Sequence, residues 1–167
     1  MITIREWQTD DAKSLAYTLN NKVIMNNLRD GLPFPYTEKD ALYFINLCLN
    51  ADKNEQFNFA ITYNGEVVGS IGATRQPNIH CKTAELGYYI GQPFWGKGIT
   101  TAAVKQICSY VFENTDIIRI YAEPFARNTA SCKVLEKAGF TYEGTLRANA
   151  VKNGIIEDMR MYSLIKK

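Results

Sequence analysis

Histidine is almost missing from this chain: His80 is the one histidine in 167 residues. That excludes His-rich zinc chemistry and the helix-borne metalloprotease motif. The four cysteines, at positions 48, 81, 108 and 132, have no close metal-ligand spacing and are too sparse for a disulfide scaffold. No metal is therefore expected. No run approaches the roughly 18 apolar residues that a membrane-spanning helix requires, so no membrane partner is expected. Neither sign of charge dominates: 19 basic residues against 17 acidic leave a net charge of +2. A dedicated nucleic-acid binder shows a strong, clustered basic excess, so no nucleic acid is expected. Hydrophobic and charged fractions of 46% and 22% exclude disorder and collagen-like repetition. The length suits one domain over residues 1–167, monomeric or homodimeric. Met1–Arg5 reads as a strand with no secretory core behind it, so a cytoplasmic location is the expectation.

What is present is ordered punctuation. Ile2 to Trp7 alternates like a half-buried strand, and Thr9-Asp10-Asp11 opens a helix whose Ala12, Leu15, Ala16 and Leu19 share a face. Thr37-Glu38-Lys39-Asp40 opens a second helix. Between the two, Asn26 to Tyr36 carries two prolines and predicts a loop that folds back on the body. Phe57–Tyr63 and Glu66–Ile71 flank Asn64-Gly65, a two-residue hairpin signal. A strand over Thr83–Ile90, a helix carrying Ala103, Val104, Ile107 and Val111, and a buried strand over Ile117–Ala122 follow. A helix over Asn128–Ala138 is closed by Gly139, and a last hairpin, Tyr142–Lys152 with Ile155–Ile165, turns at Asn153-Gly154. This order predicts an α+β fold: a mixed, mostly antiparallel sheet with helices on both faces. Its one parallel crossover should run from the strand ending at Ile90 to the strand starting at Ile117.

The chemistry concentrates where a strand runs through Gly91-Gln92-Pro93-Phe94-Trp95-Gly96-Lys97-Gly98 straight into a helix at Ile99-Thr100-Thr101. Glycine lets a ligand approach the backbone, and the first-turn N–H groups of a helix, at the positive end of its dipole, favour phosphate oxygens. A tight strand-to-helix turn that binds nothing is the plain alternative. A Walker loop fails because Gly98 follows Lys97 where Ser or Thr belongs. A dinucleotide fingerprint is a weak rival: Thr101 stands where a third glycine belongs, although Glu123 ends the next strand near the ribose-binding position.

Trp95-Gly96-Lys97-Gly98-Ile99-Thr100 resembles the coenzyme A loop of the GNAT superfamily of N-acetyltransferases. Asn128 to Phe140 resembles the second motif of its ribosomal-protein N-terminal acetyltransferase branch. Glu85 to Ile90 is similar to that branch's central strand, and Pro33-Phe34-Pro35-Tyr36-Thr37 to its substrate-side loop. The four segments are collinear over essentially the whole chain. Trp95 stands where most of the superfamily has Gln or Arg, and Thr100 replaces a small Gly or Ala.

The resemblance implies acetyl-CoA as cosubstrate, a GNAT-like sheet, and direct attack of a primary amine on the thioester. The acceptor would be a peptide or protein N-terminus or a small amine. Gly96, Lys97, Gly98, Ile99, Thr100 and Thr101 are expected around the pyrophosphate, with Trp95 beside them. The strand at Tyr88, Tyr89 and Ile90 would pair with the pantetheine arm and lend an N–H to the oxyanion. Asn128 is expected to cap its helix and touch the cofactor, and Lys133 to approach the ribose phosphate. The tyrosine that many members use to protonate the leaving thiolate is absent, since its position is Leu135. Ser131 is the candidate acid, with a plain helix-start serine as the alternative. Glu85 is the candidate base, with an exposed strand carboxylate as the alternative. A non-catalytic acyl-CoA sensor of the same fold is the second reading of the whole.

Overall fold

Helices in this chain begin where a side chain can accept the N–H groups that lack a partner in the first turn. The turn at Thr9–Asp11, which leads into α1 (Ala12–Leu19), is closed by the Asp11 carboxylate accepting the Gln8 N–H at 2.9 Å. Asn21 accepts the Val23 N–H at the start of a short α2 (Lys22–Met25). Thr37 and Asp40 bond each other's backbone reciprocally at the start of α3 (Glu38–Asn50). Asn128 caps α5 (Thr129–Lys137) through the Ser131 N–H. Like α1, α4 (Ile99–Asn114) has no side chain bonded to its first-turn N–H groups; it starts from Gly98.

The strands of the computed structural model, which describes residues 1–167, are β1 (Ile2–Arg5), β2 (Gln56–Tyr63), β3 (Glu66–Arg75), β4 (Thr83–Ile90), β5 (Arg119–Ala122), β6 (Thr141–Lys152) and β7 (Ile155–Ile165). They form one seven-stranded sheet in the order β1-β2-β3-β4-β5-β7-β6. Every neighbouring pair is antiparallel except β4 with β5, so the single expected crossover is present. At the first hairpin Asn64 and Gly65 take φ values of 51° and 89°, the paired left-handed geometry that an Asn-Gly turn supplies.

Alternation along the strands divides the core in two. Ile61, Val68, Ile71, Leu86 and Ile120 pack with Ala103, Val104, Ile107 and Val111 of α4 and with Leu135 of α5. On the other face Ala60 and Trp7 pack with Leu15 and Leu19 of α1 and Ala41 and Ile45 of α3. Helices therefore cover both faces. Each large aliphatic side chain buried in these layers contributes about 1.5–3 kcal/mol, and truncating one such as Ile107 to alanine costs about 2–5 kcal/mol.

Three local features differ from expectation. The strand expected from Ile117 enters the ladder only at Arg119, because the Ile117 N–H turns back to the Thr115 hydroxyl at 3.1 Å. α2 was not anticipated; Asn21 nucleates it just ahead of the proline-bearing loop. In the last hairpin the register slips between Leu146 and Ala150, where Ala148 adopts φ 51° and donates its N–H to the Asp158 carboxylate at 2.8 Å. All four cysteines are free. No helix is long and apolar enough to cross a membrane.

Candidate functional site

The parallel pair is short. β4 and β5 align only over Thr83–Glu85 with Arg119–Tyr121, and β4 runs on to Ile90 without a neighbour on that side. On its other side the Gly91 N–H donates to the Val68 carbonyl at 2.8 Å, and the alternation of an antiparallel ladder then assigns Tyr89 and Gly87 to β3. The backbone groups of Tyr88 and Ile90 consequently face the gap, while the Leu86 N–H still closes the last rung with β5. The Ile90 carbonyl is taken by the Trp95 indole N–H at 3.0 Å. The N–H groups of Tyr88 and Ile90 remain as a half-made ladder edge.

The register separates the two tyrosines expected along the arm-binding strand. Tyr89 turns its backbone to β3, and its side chain is buried among α1 and α3, where the phenol makes no hydrogen bond. Burial first, and then neighbouring Tyr36, drive its pKa above the ordinary tyrosine value. Tyr89 is thus a packing residue, and Tyr88 is the one that addresses the gap. Trp95 uses its single indole donor to fold the loop back onto β4, so only its half-exposed ring is left to meet a ligand.

The gap ends at the start of α4. Gly96 and Gly98 have φ values of 75° and 74°, in the left-handed region, and a Cβ added at either would meet nothing within 4 Å. The backbone there is both shaped by glycine and open to a ligand. The N–H groups of Ile99, Thr100 and Thr101 have no acceptor, whereas Ala102 already bonds the Gly98 carbonyl at 3.1 Å. The Ile99 side chain is core, so this residue offers only its backbone. Lys97 lies with its ammonium 5.4 Å from the Phe94 ring centroid. Three free amides on a helix dipole suit a diphosphate.

On the α4–α5 side of the gap, the Tyr88 hydroxyl is 2.8 Å from Oγ of Ser131 and 3.3 Å from the Ser131 carbonyl. Burial raises the Tyr88 pKa, and the hydrogen bond with Ser131 only partly offsets it, so the phenol stays neutral. Ser131 is held in turn by Asn128, whose Oδ1 accepts its N–H at 3.2 Å. Lys133 is exposed on the outer face of α5.

On the opposite side Glu85 ion-pairs with Arg29 from the loop after α2. Tyr121, the register partner of Glu85, has its phenol pushed up to about 12 by burial and then by Glu85 and Glu123. Burial, with Glu85 second, also raises the Glu123 carboxyl above the ordinary range, against a smaller opposing effect of Arg29. Glu85, Tyr121, Glu123 and Arg29 thus form one charged cluster beside the splay. Sequence reasoning found Glu85 there, met Glu123 only as a possible ribose ligand, and missed Arg29 and Tyr121. Odd-numbered positions on two parallel strands share a face, a signal that could have joined Glu85 to Tyr121 and Glu123; nothing local points to Arg29.

The expected loop residues, Asn128 and Ser131 thus converge on one splayed pair of strands, with Glu85 across the gap. No group of three or more His, Cys, Asp and Glu side chains is placed to hold a metal ion.

Comparison with known proteins identifies the family and the fold. The sequence pattern of the acetyltransferase (GNAT) domain matches residues 1–141. The uncharacterized N-acetyltransferase p20 of Bacillus licheniformis is 29% identical over 171 residues, covering 99% of this chain and 93% of its own. The structure of RimL, a ribosomal L7/L12 alpha-N-protein acetyltransferase in complex with coenzyme A, superposes with a TM-score of 0.85 at 22% identity, covering 98% and 93% of the two chains. The microcin C7 self-immunity acetyltransferase MccE, in complex with acetyl-CoA and AMP, gives 0.85 at 25% identity, covering 99% and 92%. The chain belongs to the GNAT acetyltransferase family and is an N-acetyltransferase.

Proposed function

We propose that residues 1–167 form a single domain that moves an acetyl group from acetyl-CoA to a primary amine, a protein N-terminal α-amine or a small amine, by direct attack on the thioester. One observation carries the cosubstrate assignment. The unpaired amide edge of β4 runs into the three free amides of α4, so a ligand with an amide-bearing arm and a diphosphate satisfies both at once. RimL is named for a protein α-amine, and the spermidine N(1)-acetyltransferase of Escherichia coli, 24% identical over 92% of this chain, is named for a small amine, so both kinds of acceptor have precedent among similar proteins.

In the proposed reaction the amine nitrogen attacks the thioester carbon and the carbonyl oxygen becomes an oxyanion. The Tyr88 N–H, facing the gap, is the donor for that charge. The C–S bond then breaks and the thiolate takes a proton from the hydroxyl pair of Ser131 and Tyr88. A thiol of pKa about 8.5 leaves readily, so this acid contributes modestly. The ammonium loses its proton to Glu85, directly or through water, once Arg29 has moved off that carboxylate.

The test follows thiol release from acetyl-CoA with peptide and small-amine acceptors, together with the mass of the acceptor product. Stoichiometric thiol and acetylated amine are expected. Coenzyme A binding without transfer to any amine would return the protein to the sensor reading.

A further inference from the structure

Between the loop that follows α2 and the tip of the β6–β7 hairpin lies a cleft of about 400 Å³. Its lining is charged unevenly: Lys22, Arg29 and Lys152 against the single acid Asp30. The walls are fixed by Arg127, which donates to the Asn27 side chain at 2.7 Å, to the Asn26 carbonyl at 2.6 Å and to Glu157 at 2.7 Å. A second concavity, beside Trp7 and Tyr110, is about 30 Å³, room for a water, and has no such charge.

Lys152 is the informative residue. Its side chain is 9% exposed, yet the carboxylate it pairs with at 2.7 Å, Asp30, is 77% exposed. A desolvated cation needs an anion beside it, and this one is held by an anion that water can readily take back. Lys22 stands 4.9 Å from the Phe34 ring centroid rather than against a carboxylate. Arg29 lines the cleft and also reaches Glu85, so it joins the cleft to the carboxylate that would receive the amine.

We infer that the acceptor carries an anionic group beside its amine, and that this cleft binds it. The inference rests on the acetyl-transfer reading above. A zwitterionic acceptor satisfies both halves of the Arg29–Glu85 pair: its ammonium takes the carboxylate and its anion takes the guanidinium. Lys152 then exchanges the solvent-exposed Asp30 for the acceptor's carboxylate or phosphate. A polyamine satisfies only Glu85 and sets a second cation against Arg29, Lys22 and Lys152, a like-charge contact that selects against it.

Initial-rate thiol release tests this with five acceptors: the amidated peptides Ser-Asp-Glu-Ala, Ser-Asn-Gln-Ala and Ser-Lys-Lys-Ala, aminoethyl phosphate, and spermidine. The acidic peptide or aminoethyl phosphate is expected to exceed the neutral peptide by about tenfold or more in kcat/KM, with the basic peptide and spermidine lowest. Which of the two anionic acceptors leads separates a peptide from a small phosphorylated amine. Lys22→Glu, at an exposed position that the fold tolerates, should erase the preference, and so should Lys152→Met if it folds. Neither anionic acceptor exceeding the neutral peptide, preference for spermidine, or an unchanged ranking in Lys22→Glu would overturn the inference while leaving acetyl transfer standing. No transfer to any acceptor would overturn the transfer reading itself, and this inference with it.

Discussion

The hydroxyl of Tyr88 lies 2.8 Å from Oγ of Ser131, linking the strand that ends at the glycine loop to the start of α5. The link is separable from the fold, because the Tyr88 hydroxyl also has the Ser131 carbonyl at 3.3 Å. Ser131→Ala should therefore lower kcat by about 10²-fold, the low end for a positioned general acid, with KM for acetyl-CoA little changed. Steady-state kinetics beside a thermal melt checks this. An unchanged kcat would remove Ser131 from the proton path.

Gly98 starts α4 at φ 74° with open space where a Cβ would stand. Alanine there meets no clash in the free protein, but it costs about 1–2 kcal/mol in left-handed backbone and fills the approach to the three free amides. Gly98→Ala should lower Tm by a few degrees and raise KM for acetyl-CoA by about tenfold, since that factor corresponds to about 1.4 kcal/mol of lost binding. A melt shift without a KM shift would place the diphosphate elsewhere.

Burial and Glu85 raise the Glu123 carboxyl above its unfolded value, so across that window the folded chain binds more protons than the unfolded one. This contribution is favourable below the unfolded pKa and is lost as pH rises through the folded one. Glu123→Gln should accordingly melt higher than the parent at pH 7, and the two should converge below about pH 4. Melts across pH decide it, and a lower Tm for the variant at pH 7 would contradict the cluster as described.

Asp11 behaves in the opposite sense. Burial works to raise its carboxyl, but the Arg5 guanidinium, bonded at 2.8 Å through both oxygens, and the Gln8 N–H outweigh it, so the pKa lies below the ordinary value. Its stabilisation is present above the unfolded pKa and is lost as pH falls through the lower folded one. Asp11→Asn should cost about 2 kcal/mol near neutrality, read by urea unfolding, because charge-assisted bonds and a helix start are weakened together.

Much of the fold was legible because its signals are local. Asn64-Gly65 and Asn153-Gly154 marked both hairpins, Gly139 closed α5, and the glycine loop showed the start of α4. What stayed hidden depends on register and distance. Whether Tyr88 or Tyr89 faces the gap follows from which of them bonds β3, and composition is blind to that. Arg29 meets Glu85 across 56 positions and Tyr88 meets Ser131 across 43. The slip around Ala148 carries no glycine to announce it; the Asp158 carboxylate holds the left-handed turn in place of the usual residue.

Amide hydrogen exchange by NMR, with and without coenzyme A, reads the proposed binding path directly. The N–H groups of Tyr88, Ile99, Thr100 and Thr101 should gain protection on binding, while Tyr89, already bonded to β3, should not change. Protection at Tyr89, or none at the start of α4, would contradict the placement of the cosubstrate along β4.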